Sequence, residues 1–490
     1  MQIRLSQRTL DQVPADIRRP GYDRTRLRTG IVHLGLGAFH RAHQAVYTQP
    51  LLAEDPSWGI LGVSLRRPDT RDALAPQDGL YTLAQRDGSG ETLEIIGALT
   101  GICVAPEDPP ALVARMAHPD VRVVTLTITE KAYCRNPATG QLDETDPAVL
   151  ADLANPDRPG TAIGFLAAAL RARRATGTPP FTVLSCDNLP SNGSATHRLL
   201  TRFCTLLDPE FGNWVATELA CPDSMVDRIV PATTGADRAR IAATLGLADA
   251  WPVIAEPFTQ WVIEDRFPMG RPAWERTGAT MVSDVRPYED MKLRLLNASH
   301  STIAYLGQLA GWETVADAMA DPALRAHVSA LMQEAAATLH MPTGTDLDDY
   351  RDALLERFAN PALRHLTAQI AMDGSQKLPQ RLLASATDRL AAGQGVERIA
   401  LGVAAWLRFL QGSSDAGDRL ELNDPLAARL RSAAPATASP RQVLDGVFAL
   451  NEVIPDDLAA SGRFRGAVLA ALESLTTMGA KATLLRWQSP

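Results

Sequence analysis

The chain has 490 residues, 46% of them hydrophobic, and a formal net charge of −8 at pH 7. That is enough apolar material for two substantial cores. The acidic balance argues against a nucleic-acid surface and leaves room for a local basic pocket. Five cysteines, Cys103, Cys134, Cys186, Cys204 and Cys221, are scattered without a C-x-x-C pair. They read as reduced thiols of a cytoplasmic protein, with no clustered Cys/His spacing for a metal. No basic-then-apolar leader and no apolar run of spanning length are evident, so no membrane contact is expected.

The first 30 residues are polar and carry Pro14, Pro20 and Gly21, which suggests an irregular arm. Ile31 to Leu34 is a short apolar strand that runs into Gly35-Leu36-Gly37-Ala38-Phe39, and a helical stretch follows from about His40 to Leu52. Gly59 to Val63, Val121 to Thr129 and Phe181 to Cys186 are further β-branched runs of buried-strand type. Ala162 to Thr176 reads as a helix between the last two. Strands alternating with helices imply an α/β fold with a mostly parallel sheet. Near residue 285 the composition turns to Ala, Leu, Arg and Asp with helical periodicity, as in Thr302–Leu309, Ala323–Leu339, Leu347–Phe358 and Val396–Leu410. We therefore expect a dinucleotide-binding domain over 1–285 and an all-helical domain over 286–490, with Ser432–Pro440 a loop of small residues and prolines.

Gly35-x-Gly37 between a strand and a helix is the start of a dinucleotide fingerprint. The first glycine permits the tight turn, and the second lets backbone amides approach a pyrophosphate. His40 stands where a third glycine is usual. After the second strand comes Ser64-Leu65-Arg66-Arg67-Pro68-Asp69. Asp69 is the candidate for the adenosine ribose, and Arg66 and Arg67 could instead attract a 2′-phosphate. NAD is favoured over NADP on that balance. His33, within the first strand, reads as a packed core histidine, and Asp187-Asn188 at a strand end could be a metal pair.

The most concentrated chemistry lies in Tyr288-Glu289-Asp290-Met291-Lys292-Leu293-Arg294-Leu295-Leu296-Asn297-Ala298-Ser299-His300. At about 100° per residue, Glu289, Lys292, Asn297 and His300 would fall within an arc of about 140° on one helix face. Such a face is costly to bury unless every group has a partner. It suits oxidation of a secondary alcohol, or reduction of a ketone, without a metal. Lys292 could act as general base if burial lowers its pKa. Asn297 could donate to the reacting oxygen. His300 could hold that oxygen or orient the lysine, and Glu289 could relay the proton outward. The plain alternative is an amphipathic helix with a solvated lysine.

Several strings then occur in one order. They are Gly35-x-Gly37-x-Phe39-His40-Arg41-Ala42-His43-Gln44, Ser185-Cys186-Asp187-Asn188-Leu189-Pro190-x-Asn192-Gly193, Met225-Val226-Asp227-Arg228-Ile229, Glu256-Pro257-Phe258-x-Gln260-Trp261-Val262 and the Lys292/Asn297/His300 motif. Together they resemble the mannitol dehydrogenase family of long-chain polyol dehydrogenases over nearly the whole chain. The histidine at the third-glycine position is part of that family's own pattern.

The resemblance implies a Rossmann-type first domain, a helical second domain and zinc-independent NAD(P) chemistry on a small sugar-acid or polyol substrate. It implies Gly35, Leu36, Gly37, Ala38, Phe39, His40 and Arg41 at the cofactor, and Asp227 beside the nicotinamide. Lys292 would be the general base, Asn297 and Asn188 would polarise the reacting oxygen, and His300 would hold substrate hydroxyls. Glu130 and Glu289 would be acids of a proton path, and Lys377 a substrate-binding lysine. Mannitol dehydrogenases carry an arginine four residues before the Asp of D-G-S-x-K, where this chain has Gln369. The string Gln369 to Arg381, preceded by Arg364-His365, is instead similar to the branch that interconverts D-fructuronate and D-mannonate. Lys131, where mannitol enzymes tend to have glycine, agrees. An anionic substrate would call for cations, with Lys131, Lys377, Arg381 and Arg364 as candidates. A charge-assisted bond to its carboxylate contributes about 1.5–3 kcal/mol. The plain alternative for each is a surface ion pair. A neutral polyol remains the competing substrate class, and the chain is expected to be a monomer or a small homo-oligomer.

Overall fold

The computed structural model describes residues 3–136 and 139–487. The chain divides into two compact units, Met1–Arg286 and Pro287–Pro490.

The first unit is built on a five-stranded parallel sheet. Its strands are β1 (Thr29–Leu34), β2 (Gly59–Ser64), β3 (Leu99–Val104), β4 (Val123–Leu126) and β5 (Thr182–Ser185). The spatial order β3-β2-β1-β4-β5 reverses direction between β1 and β4, which is where such sheets open a ligand crevice. β1 is buried from Gly30 to Leu34, and β2, β4 and β5 are buried throughout. Covered faces explain why their sequences read as unbroken apolar runs. β3 went unread because Thr100 and Gly101 dilute it and it lies at the sheet edge, half-exposed. The run expected over Val121–Thr129 pairs only from Val123 to Leu126. The helix Ala162–Thr176 is fixed at both ends: Thr161 accepts from the Gly164 amide, and Gly177 closes it at φ 68°.

Two smaller three-stranded sheets complete the unit. One joins Tyr81–Asp87, Gly90–Ile96 and Val253–Ala255, and the other joins Ser224–Asp227, Gln260–Glu264 and Thr280–Val282. The N-terminal arm is anchored by Leu5, Leu10, Val13 and Ile17, which pack with Leu80, Ala84 and Ile95.

Among the described residues no strand follows Val282, and the second unit is helical. Three helices cross its core: Ala298–Ala310, Glu397–Leu410 and Gly462–Arg486. The first is buried on nearly every side, as a core helix must be. Close approach is allowed by Gly402, where a Cβ would stand 2.6 Å from Thr302 Oγ1. Gly462–Arg486 reaches the length and apolar composition of a membrane span, unlike the sequence reading above. Its Phe464, Val468, Leu472, Leu475 and Leu484 are buried in the core, and Gly479 breaks its geometry at φ 78°.

Each unit buries a neutral histidine. His33 is bonded to Thr125 Oγ1 at 2.7 Å and Thr127 Oγ1 at 2.9 Å. His327 has neither ring nitrogen paired. Burial pushes both down to about 3 from the ordinary 6.5. The unfolded chain therefore takes up protons that the folded chain refuses. Stability from these groups is complete above pH 6.5 and is lost as pH falls toward 3. Between pH 6.5 and pH 5 each should cost about 2 kcal/mol. His327→Leu should narrow the difference in Tm between pH 7.5 and pH 5, measured by calorimetry. An unchanged difference would mean that His327 does not drive the acid loss.

Candidate active site

In the first unit the crevice side of the sheet is formed by the turns after β1, β2, β4 and β5. Gly35 adopts φ 95°, and a Cβ there would lie 2.2 Å from the Thr127 carbonyl oxygen. Only glycine fits that crossing. The Gly35 and Leu36 amides both donate to the Val63 carbonyl, at 2.9 and 3.0 Å, which pins the turn to β2. Gly37 is different. A Cβ there would meet nothing nearer than Gly35 O at 3.7 Å, so the residue is bare toward open space rather than packed. An exposed backbone followed by helix Ala38–Ala42 is a cradle that fits a pyrophosphate. Phe39 stacks on His43 at 5.0 Å. His40 is fully buried and stacked on His33 at 3.5 Å. Burial first, then the neighbouring His33, holds it well below the usual histidine range. Arg41 is buried with Nη1 on the Trp251 carbonyl and Nε on the Gly37 carbonyl. Asp69 opens the helix Asp69–Leu74 and is exposed, as are Arg66 and Arg67. Asp227 is buried at the end of its strand. Glu130 and Lys131 begin a 3-10 turn after β4 and are exposed, and Asn188 is exposed after β5.

The second unit carries Lys292, Asn297 and His300, but not on a regular α-helix. Arg286–Met291 is α-helical, Lys292–Asn297 is a π-helix, and Ala298–Ala310 is α-helical again. The 100° projection expected from sequence therefore fails across this segment. An i→i+5 turn is wider, so each residue advances by less. Such turns are rare and concentrate at functional sites. A second π-helix, Pro379–Leu383, packs against it. Its cause is legible, because Pro379 has no N–H to give inside a helical run. Arg381, on that second π-turn, donates to Ser301 Oγ at 3.0 Å and to the Asn297 carbonyl at 3.4 Å.

Lys292 and His300 are buried, Glu289 and Asn297 partly so. His300 Nε2 is buried with no hydrogen-bond partner. Its ring lies 4.5 Å from Phe358 and edge-on to His365 at 5.1 Å. Burial, then His365, Arg357, Arg381 and Lys292 in that order, holds the imidazole well below its ordinary pKa. Arg357 and His365 are the neighbours that sequence reasoning missed as site residues. His365 was visible only as part of a string. Arg357 sits in the last turn of helix Leu347–Phe358 and gave no signal.

The other candidate cations lie differently. Arg364 pairs with Glu313 at 2.6 Å, both side chains well exposed, a surface ion pair. Lys377 donates to the carbonyls of Met372 at 2.6 Å and Ile370 at 3.4 Å. Gln369 is exposed on helix Thr367–Ile370. Among the described residues no group of three His, Cys, Asp or Glu side chains is placed to hold a metal.

A parallel sheet with a bare glycine turn, together with a helical unit bearing a buried lysine and histidine and a partly buried asparagine, defines a Rossmann-type oxidoreductase acting on a CH–OH group. The chain belongs to the mannitol dehydrogenase family. Residues 29–276 match the mannitol dehydrogenase Rossmann domain and residues 284–476 the mannitol dehydrogenase C-terminal domain. The chain is 45% identical to the D-mannonate oxidoreductase of Escherichia coli (strain K12) over 471 residues, covering 95% of this chain and 97% of that one. It is 40% identical to the mannitol 2-dehydrogenase of Phaeosphaeria nodorum over 494 residues, covering 99% and 86%. Pseudomonas fluorescens mannitol 2-dehydrogenase, solved as a ternary complex with NAD and D-mannitol, superposes with a TM-score of 0.88 at 38% identity over the full length of both chains.

The surroundings of His300 yield a direct expectation. With ¹³C-labelled histidine, its ring resonances should not titrate between pH 5.5 and 8.5. A resonance assigned by His300→Gln that moves with a midpoint near 6.5 would show that solvent or a counter-charge reaches the ring.

Proposed function

We propose that this enzyme interconverts D-fructuronate and D-mannonate, with NAD as the preferred cofactor. The observation that carries the reading is the charge around His300. An imidazole kept neutral, with Nε2 lacking a protein partner, lies within the field of Lys292, Arg357 and Arg381. Cations near a buried, neutral hydrogen-bonding group favour an anionic ligand. The similarity to D-mannonate oxidoreductase points the same way.

When bound, the dinucleotide supplies or accepts the hydride. The protein's part is proton transfer and charge stabilisation. We assign Lys292 to move the proton at the reacting oxygen, Asn297 and Asn188 to donate to that oxygen, and His300 Nε2 to hold a substrate hydroxyl. Glu130 and Glu289 are assigned to carry the proton onward. Gly35 to Phe39 would hold the pyrophosphate, with His40 and Arg41 bracing that turn from beneath, and Asp227 would flank the nicotinamide. Asp69 supports NAD over NADP because a carboxylate accepts from a ribose hydroxyl and repels a 2′-phosphate. Lys131 joins Arg357 as a substrate cation in this reading, and Arg381 braces the Asn297 turn. Lys377 and Gln369 would face the far end of the sugar. A cytoplasmic location accords with five unpaired cysteines.

A neutral polyol is the second reading, favoured by the full-length likeness to a mannitol-bound enzyme. One assay separates the two. NADH oxidation should proceed with fructuronate at least about a hundredfold better in kcat/KM than with fructose, the worth of about 3 kcal/mol of charge-assisted binding. Arg357→Gln should shrink that gap, and NADPH should serve less well than NADH. Equal turnover of fructose or mannitol would replace the uronate with a polyol. For the base, Lys292→Ala should leave NADH binding nearly intact and lower kcat by about a hundredfold or more. Near-normal turnover at neutral pH would remove Lys292 from that role.

A further inference from the structure

The loops that leave β4 and β5 are tied together by a single carboxylate. Asp187 Oδ2 accepts from the Ile128 amide at 2.9 Å and from the Tyr133 hydroxyl at 2.8 Å, while Oδ1 accepts from the Thr129 amide at 2.9 Å. Tyr133 is fully buried, with its oxygen 2.6 Å from Ser185 Oγ at the end of β5. The main chain of Asp187 is held as well. Its carbonyl accepts from the Leu189 amide at 2.8 Å and from Asn192 Nδ2 at 3.0 Å.

Between these bonds Thr129 adopts φ 68° and ψ 155°. That region is essentially reserved for glycine, and a β-branched residue there is a genuine outlier. Such a conformation persists only where its surroundings over-determine it. The two amides on Asp187 flank the outlier on its N-terminal side. They turn the chain out of the sheet where the β-branched sequence would otherwise continue as strand. Glu130 is the next residue after Thr129, and Asn188 is the next residue after Asp187. One carboxylate thus sets the backbone at both.

We propose that Asp187 is a positioning residue, whose carboxylate holds the strained Thr129 peptide and so presents Glu130 and Asn188 from neighbouring strand ends as one pre-set unit. The functional half of this inference rests on the roles assigned above to Glu130 and Asn188. A carboxylate is needed because three donors converge on it, and an ionised carboxyl is acceptor-only. An amide of the same size would turn one end into a donor facing an N–H or O–H.

The test is a double-mutant cycle on the full-length chain: Asp187→Asn, Thr129→Gly and the pair, each measured for Tm, NADH binding by fluorescence, and kcat. Asp187→Asn should lower kcat at least about tenfold and leave the Kd for NADH within about twofold. Thr129→Gly alone should stay close to wild type. In the pair, glycine accepts the outlier conformation without the clamp, so kcat should return to within about threefold of Thr129→Gly, with Tm above that of Asp187→Asn. A general loss of structure would not be repaired by adding a glycine, which loosens the chain. The proposal is overturned if Asp187→Asn keeps kcat within twofold of wild type. It is equally overturned if the pair is no better than Asp187→Asn, including the case in which neither folds. Should the wild type turn over neither uronate nor polyol, the functional reading above fails. The Tm cycle still decides the clamp: Thr129→Gly must raise Tm more in the Asp187→Asn background than in wild type.

Discussion

A helical turn with i→i+5 bonding is rare, and it occurs mostly as a single wide turn inside an α-helix, frequently at functional sites. Lys292–Asn297 is such a turn. It packs against a second wide turn, Pro379–Leu383, where Pro379 withholds one donor from the helical run. The two irregularities face each other, and Arg381 joins them through the Asn297 carbonyl and Ser301. The orientation of Lys292, Asn297 and His300 follows from this pairing.

Net charge is a poor guide to such a site. The chain carries −8 overall, yet Lys292, Arg357 and Arg381 together bear on His300. Burial is the largest influence on that ring, and the cations add to it. The result is a buried hydrogen-bonding group that is held uncharged. A neutral imidazole can donate or accept according to its tautomer, as the role proposed above for His300 would require.

Much of the architecture was legible because its physics is local. Ile31 to Leu34, Gly59 to Val63 and Phe181 to Cys186 are covered on both faces, and a covered parallel strand has to be apolar throughout. Gly35 was legible because a crossing 2.2 Å from a carbonyl tolerates no Cβ. β3 was missed because an edge strand need not be apolar, and the Val121–Thr129 run was read too long because Asp187, remote in sequence, captures the amides of Ile128 and Thr129. In the second unit the helices were plain, but the widening at Lys292–Asn297 has no proline or glycine to announce it. Pro379 stood in the open and was absorbed into a family string. Arg357 reads like any charge on an amphipathic helix, and Arg364 like a ligand, although its partner is Glu313. The residue types that make the site were readable. Which of them meet depends on tertiary contacts.

The close crossing at Gly402 has a consequence for how such an enzyme can diversify. With no room for a methyl group between that glycine and Thr302, the helix that carries His300 is seated against its neighbour at a fixed depth. It can serve as a datum from which the rest of the pocket is measured. Phe358 and His365 lie against the imidazole from other segments of the chain. If the roles proposed above hold, replacing those side chains would alter the surroundings of the ring while the helix keeps its depth. On that proposal, a designer seeking a new sugar would recast those neighbours and leave the seam alone.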